Sequence, residues 1–274
     1  MNKILLLLVL IIGIGCGNVK TRDPSVLVKH VENSTVALMV VGSVAQDEPR
    51  PYCSGVWVSS NVILTANHCV EAAWKMEMKR KILQMEEAEA SAAIEHFLTM
   101  SHSMRLELVV VGTPVHYSSI GDVDEIGKPP YALRFGTVIV VDPTHDLALI
   151  EAGGSNLPLH DIAVVADENP GIGETLHIVG QPKGLYWSYI TGVVSAYRKS
   201  LPESRSIVTE VNELKVVGPY MQVSAPVWYG NSGGGAFDTD GKLVGIASFL
   251  TGSPVSCHFI HPDVIRLLLT DHLI

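Results

Sequence analysis

Gly230-Asn231-Ser232-Gly233-Gly234 is the stretch from which the fold of this chain can be read. Glycines on both sides of one serine let the backbone turn tightly enough to aim N–H groups and a hydroxyl oxygen at a single carbon atom. Taken alone, the stretch is equally a plain turn in a β-rich chain. Two further segments change its meaning. In Leu64-Thr65-Ala66-Asn67-His68-Cys69 an apolar strand of Val62, Ile63 and Leu64 runs into a histidine, and in His145-Asp146-Leu147-Ala148-Leu149-Ile150 an aspartate leads directly into an alternating strand. A serine hydroxyl is a poor nucleophile at neutral pH. A histidine has to remove its proton, and a carboxylate has to hold that imidazole in the right tautomer. Each residue also has a structural reading: His68 as a satisfied histidine at a strand end, Asp146 as a turn residue after Pro143, Ser232 as merely small. Their occurrence together favours one chemical machine.

TANHC (residues 65–69), HDLALI (145–150) and GNSGGGAF (230–237) resemble, in that order, the three catalytic blocks of trypsin-like (chymotrypsin-fold) serine proteases. The match is closer to the HtrA/DegP-type protease domain than to digestive trypsins, because Asn231 stands where the latter carry an aspartate. Val179-Gly180-Gln181-Pro182-Lys183-Gly184, followed by Ile190 to Ser195, resembles that branch's glycine-proline turn and next strand. Asp240 to Ile246 and Ile260 to Ile265 resemble its closing strands and final helix. The resemblance implies His68 as general base and acid, Asp146 as its orienting carboxylate and Ser232 as nucleophile. The N–H groups of Gly230 and Ser232 would form the oxyanion hole. Ser248 would buttress the aspartate, and the backbone of Ser248, Phe249 and Leu250 would pair with an extended polypeptide substrate. Pro226 would floor the primary pocket, with Val227 next to it and Leu250 near its wall. No acidic residue stands there to receive a substrate cation, so the expected preference is for small or medium aliphatic residues before the scissile bond. Asn231 gives a new N-terminal ammonium no carboxylate to pair with, so activation by trimming is not expected. The resemblance also implies a disulfide between Cys53 and Cys69, closing a loop of about 15 residues.

Composition agrees with one sizeable domain: 274 residues, 47% hydrophobic and 17% charged, are enough to bury a large core. A net charge of −9 argues against nucleic acid as a partner, since phosphate binding needs concentrated Lys and Arg. Eleven histidines show no pair at ligand spacing with cysteine or carboxylate support, so neither a metal nor any other cofactor is expected. Cys257 alternates like a strand residue and reads as a buried free thiol.

The first sixteen residues read as an export signal: a positive start at Met1-Asn2-Lys3, then an apolar run from Ile4 to Ile12. That run is too short for a membrane span, which takes roughly 20 apolar residues. Gly13-Ile14-Gly15-Cys16 resembles a bacterial lipobox, with Gly13 departing from its usual aliphatic residue. Lipidated Cys16 would tether the mature protein to a membrane in the cell envelope; ordinary signal cleavage and an uncleaved anchor are the alternatives. Residues 17–274 read as the protease domain, and no PDZ domain is expected after Ile274.

The expected architecture is all-β, two six-stranded antiparallel barrels with a C-terminal helix, the first barrel over about residues 30–155 and the second over about 156–274. Strands are predicted near 36–41, 55–58, 62–65, 106–112, 137–141 and 147–150. In the second half they are predicted near 162–165, 175–179, 189–197, 207–210, 220–223, 243–248 and 256–260. Residues 71–104 contain no Gly or Pro and read as inserted helix, with Trp74, Met78, Ile82 and Met85 on one stripe and Ala93, Phe97, Met100 and Met104 on another. The insertion is open to two readings: a lid, regulatory element or partner-binding arm, or a helix capping the first barrel. Three functions fit: an exported serine endopeptidase, a silent protease-fold module that binds unfolded protein or a partner, or a protease that processes one designated site.

Overall fold

The computed structural model describes residues 24–40, 51–82, 85, 89, 107–112, 133–153, 160–199, 207–209, 212–214, 218–250 and 256–273. Six antiparallel strands form the first closed barrel: β1 (Thr35–Val40), β2 (Cys53–Trp57), β3 (Val62–Thr65), β4 (Glu107–Gly112), β5 (Leu133–Asp142) and β6 (Leu147–Ala152), in the order β1-β2-β3-β6-β5-β4. The second barrel is built from β7 (Thr175–Gly180), β8 (Ser188–Arg198), β11 (Tyr220–Ser224), β12 (Gly235–Phe237), β13 (Leu243–Leu250) and β14 (Cys257–Ile260). Between β8 and β11, β9 (Ile207–Thr209) and β10 (Asn212–Leu214) form a separate two-stranded ribbon.

Strands β1 and β3, and β6 as far as Ile150, read as continuous apolar runs because both of their faces are covered. Val36, Leu38, Ile63, Ala148 and Ile150 share one core with Trp57. Their neighbours Ala37, Met39, Leu64, Leu147 and Leu149 join a different core with Val179, Phe237, Leu243, Ile246 and Ile260 of the second barrel. Side chains two apart on a strand lie on one face, so alternate residues fill the barrel and the joint between barrels. Leu176, Ile178, Val194, Met221, Val223, Val244 and Phe259 form a third core among the strands of the second barrel.

Helix α1 (Pro24–Ser34), which the sequence reading did not anticipate, inserts Leu27 and Val31 into the shared core. Its sequence signals are weak: an aspartate before a proline at the first position and a few apolar residues, Leu27, Val28 and Val31, at helical spacing. Helix α3 (Pro262–Leu273) closes the chain with Val264, Ile265 and Leu268 on that same core. Residues 162–165 are not a strand but a connector with a single bridge, Val165 to Leu243. Ala163 N–H bonds the Trp57 carbonyl, and Leu243 N–H bonds the Val164 carbonyl, so the connector is stitched to both barrels while Ile162 and Val164 stay exposed. The three-residue β12 takes the place of that expected strand.

Helix α2 (Asn67–Ile82) begins earlier than the predicted residue 71. His68 therefore stands in the first turn of a helix, not at a strand end. Cys69, Val70 and Ala73 pack into the first barrel, while Met76 and Met85 are exposed. The second stripe, Ala93 to Met104, lies outside the described residues, as does Cys16.

Candidate active site

Two acceptors of Asp146 begin helix α2. The Asp146 carbonyl accepts from Asn67 N–H at 3.0 Å, and its Oδ1 accepts from His68 N–H at 2.8 Å. The first N–H groups of a helix have no partner within the helix and carry its positive dipole end, so a carboxylate there is favoured. Asp146 holds this position with a left-handed backbone (φ 57°), which Asp tolerates better than most residues. Its place is set by the preceding turn, where Asp142 Oδ1 accepts from the N–H groups of Thr144 and His145.

The carboxylate that caps the helix also holds the imidazole. His68 Nδ1 lies 2.8 Å from Asp146 Oδ2 and 3.1 Å from Oδ1. Both are acceptors, so Nδ1 carries the proton and Nε2 keeps a lone pair. Ser248 Oγ donates to Oδ2 from β13 of the other barrel. Asp146 is 1% exposed, whereas the His68 side chain is 22% exposed. Burial is the largest influence on the imidazole and pulls its pKa down. The Asp146 charge, its hydrogen bond and the Glu71 charge together outweigh that, and the net shift is upward.

The glycine turn is fixed peptide by peptide. Tyr229 C=O accepts from Lys183 N–H at 2.8 Å, and Asn231 C=O accepts from Gly234 N–H at 2.9 Å. Asn231 N–H bonds Trp228 C=O and Gly233 N–H bonds Ala247 C=O. The N–H groups of Gly230 and Ser232 donate to no described residue. Only glycine fits at 230, where φ is 100° and a Cβ would come within 2.1 Å of the Gln181 carbonyl. Gly233 is equally tight, at φ 80° with Thr65 Oγ1 and the Ser54 carbonyl where a Cβ would be.

The first barrel grips this turn through Ser54, a residue that sequence reasoning missed. Its N–H bonds the Ser232 carbonyl and its Oγ bonds the Gly230 carbonyl, both at 2.8 Å. A lone serine inside a short strand carries no local signal of such a contact. The Ser232 carbonyl also lies 3.5 Å from Cys69 Sγ, so the serine's own residue abuts the neighbour of His68. Cys53 and Cys69 form a disulfide across a sequence separation of 16 residues, tying β2 to the first turn of α2. Replacing both cysteines by alanine is expected to lower the unfolding free energy by about 3 kcal/mol, the chain-entropy value for a loop of this length. An unchanged midpoint in urea would contradict it.

Among the other predicted site residues, Val227 is buried and Pro226 exposed, next to exposed Trp228 and Tyr229. The Phe249 ring stacks on His258 with centroids 4.7 Å apart. Leu250 ends β13. Cys257 is a buried free cysteine, its thiol pKa pushed up to about 12 mainly by burial. Among the described residues the only group of three with metal-ligand types in reach is Cys53, His68 and Cys69, and the disulfide takes both sulfurs.

Asn231 is 1% exposed; its Nδ2 donates to Trp228 C=O at 3.0 Å, while Oδ1 has no hydrogen-bond partner among the described residues. Asn231→Asp would lose that donor and bury an unpaired carboxylate. It is expected to destabilise the fold by about 3 to 5 kcal/mol, with the loss shrinking at acid pH where the carboxyl takes up a proton. Thermal unfolding of the variant across pH checks this, and a pH-independent difference would refute it.

Comparison with known proteins places this geometry in context. A family model described as "Trypsin-like peptidase domain" matches residues 53–246. A relative from Pseudomonas fulva (strain 12-X), named "Probable periplasmic serine endoprotease DegP-like", is 32% identical over 139 residues, covering 50% of this chain and 26% of the relative. One of the same name from Marinomonas sp. (strain MWYL1) is 28% identical over 139 residues, covering 50% of this chain and 27% of the relative. The chain thus spans about a quarter of the length of the curated relatives it matches. Among solved structures, the active form of the Rv3671c protease from M. tuberculosis superposes with a TM-score of 0.58 at 16% identity, covering 90% of this chain and 86% of that one. Deg5 gives 0.56 at 17% identity, covering 89% and 90%. At these identities the structural likeness concerns the fold.

Proposed function

Because the chain belongs to the family of trypsin-like peptidase domains, we propose that it is a serine endopeptidase working through His68, Asp146 and Ser232. His68 Nε2 takes the proton of the Ser232 hydroxyl as its oxygen attacks the carbonyl carbon of a polypeptide. The tetrahedral oxyanion receives hydrogen bonds from the N–H groups of Gly230 and Ser232. His68 then passes the proton to the leaving amine, and the acyl-enzyme on Ser232 is hydrolysed by water that His68 deprotonates in turn. Asp146 holds the imidazole and stabilises its charged form. The observation that carries this reading is the pairing of a carboxylate-bound imidazole with a glycine turn whose N–H groups at 230 and 232 alone are left without a described partner.

The substrate strand would lie along the backbone of Ser248, Phe249 and Leu250, with the side chain before the scissile bond near Pro226 and Val227. No carboxylate belongs to these residues, which supports small or aliphatic side chains there over Lys or Arg. Cleavage profiling with a peptide library tests it; a dominant preference for arginine would reject the pocket. An exported enzyme of the cell envelope fits the signal-like residues 1–16 and the periplasmic relatives. Tethering through a lipid on Cys16 would be visible in the mass of the mature N-terminus, and the insertion over 71–104 is the candidate surface for a partner. Reaction of Ser232 with a fluorophosphonate probe tests the central reading. A folded protein that neither labels nor cleaves would instead be a silent protease-fold module.

A further inference from the structure

We infer that Ser54 is a positioning residue for the oxyanion site, acting through the peptide planes of the glycine turn. The inference rests on the reading of Gly230 and Ser232 as oxyanion donors and adds to it the group that aims them.

A peptide N–H points where its plane allows, and each plane is fixed by whatever binds its carbonyl or its own N–H. Along the turn the Tyr229–Gly230 plane is held by Lys183 N–H and the Asn231–Ser232 plane by Gly234 N–H. The Gly230–Asn231 plane is held at its N–H by Trp228 C=O and at its carbonyl by Ser54 Oγ. The Ser232–Gly233 plane is held by Ala247 C=O and Ser54 N–H. Ser54 therefore reaches the plane that follows each of the two open N–H groups. The other hydrogen-bond partners in this set are backbone groups of the second barrel; Cys69 Sγ also touches the Ser232 carbonyl at 3.5 Å, but as half of a disulfide it has no hydrogen to donate, which leaves the Ser54 hydroxyl as the side-chain donor to these planes among the described residues.

Ser54 is itself immobilised. It is fully buried, its own carbonyl accepts from Thr65 Oγ1 at 2.8 Å, and Cys53 before it is disulfide-bonded to the residue after His68. One segment of β2 thus sets the turn and the start of α2 against each other. Removing the hydroxyl leaves the buried Gly230 carbonyl without this donor, and an unsatisfied buried acceptor tends to rotate toward any partner it can find. Gly230, with no side chain and φ at 100°, resists that rotation least.

The test compares Ser54→Ala and Ser54→Thr with the wild type, using a peptide substrate and a peptide boronate that mimics the tetrahedral state. Deleting an oxyanion donor outright lowers kcat by about 100- to 1,000-fold, so misaiming one is expected to lower it about 10- to 100-fold. KM, the reactive fraction by fluorophosphonate titration and the pH midpoint set by His68 should be unchanged. Boronate affinity should fall in step with kcat, and threonine, which keeps the hydroxyl, should restore both. Should the alanine variant not fold, Thr65→Val, which frees only the Ser54 carbonyl, is expected to give a smaller fall in kcat at constant KM. Wild-type kcat and boronate affinity in folded Ser54→Ala would overturn the inference, as would a loss carried by KM alone. A wild type that neither labels nor hydrolyses would overturn the proposed function itself.

Discussion

Ser232→Ala is expected to lower kcat by about a millionfold, as removal of the nucleophile does in a serine protease, and to abolish fluorophosphonate labelling while leaving the melting temperature close to that of the wild type. The fold should tolerate the change because the hydrogen bonds that fix this residue use its backbone: the Ser232 carbonyl binds Ser54 N–H, and the flanking N–H groups bind Trp228 and Ala247. His68→Ala should cost about as much, and the double variant little more, because in the proposed mechanism the two side chains act as a unit. Roughly additive losses, or a labelled Ser232→Ala protein, would show that another residue is the nucleophile.

Asp146→Asn has the second largest expected effect, about a 10,000-fold fall in kcat, since an amide can hold the imidazole in the wrong tautomer. Its pH signature has a definite sign. A base must be neutral to accept a proton, so the activity of the wild type should be lost as pH falls through the pKa of His68. That pKa is raised above the ordinary imidazole value by the Asp146 charge and hydrogen bond, with Glu71 adding to them, against the opposing effect of burial. Without the carboxylate, burial dominates, and the acid limb of kcat/KM should move to lower pH. A limb at the same pH in wild type and Asp146→Asn would separate Asp146 from the group that titrates.

Most strands of the first barrel were legible because they hold apolar runs between turn signals, and β1 to β6 fall close to where they were expected. Where the pattern misled, the cause is tertiary. Residues 162–165 have strand composition, yet they cross between barrels and form one bridge. Gly235–Phe237 is too short for alternation to mark, and it becomes β12 only because β7 and β13 lie on either side to pair with it. Helix α1 shows only a few apolar residues at helical spacing, and it is held by a core assembled largely from distant strands.

The chain by itself determined the chemistry on offer: a serine among glycines, a histidine and an aspartate, each embedded in a short local pattern that restricts its backbone. Folding decided how those groups are presented. His68 became the first turn of a helix capped by Asp146, 78 residues away. The Gly230 carbonyl was caught by Ser54 across 176 residues, and Ser248 reached Asp146 from the other barrel. Such contacts leave no trace in local sequence because a hydrogen bond is specified by where two atoms end up, and that is set by the packing of two barrels against one shared core.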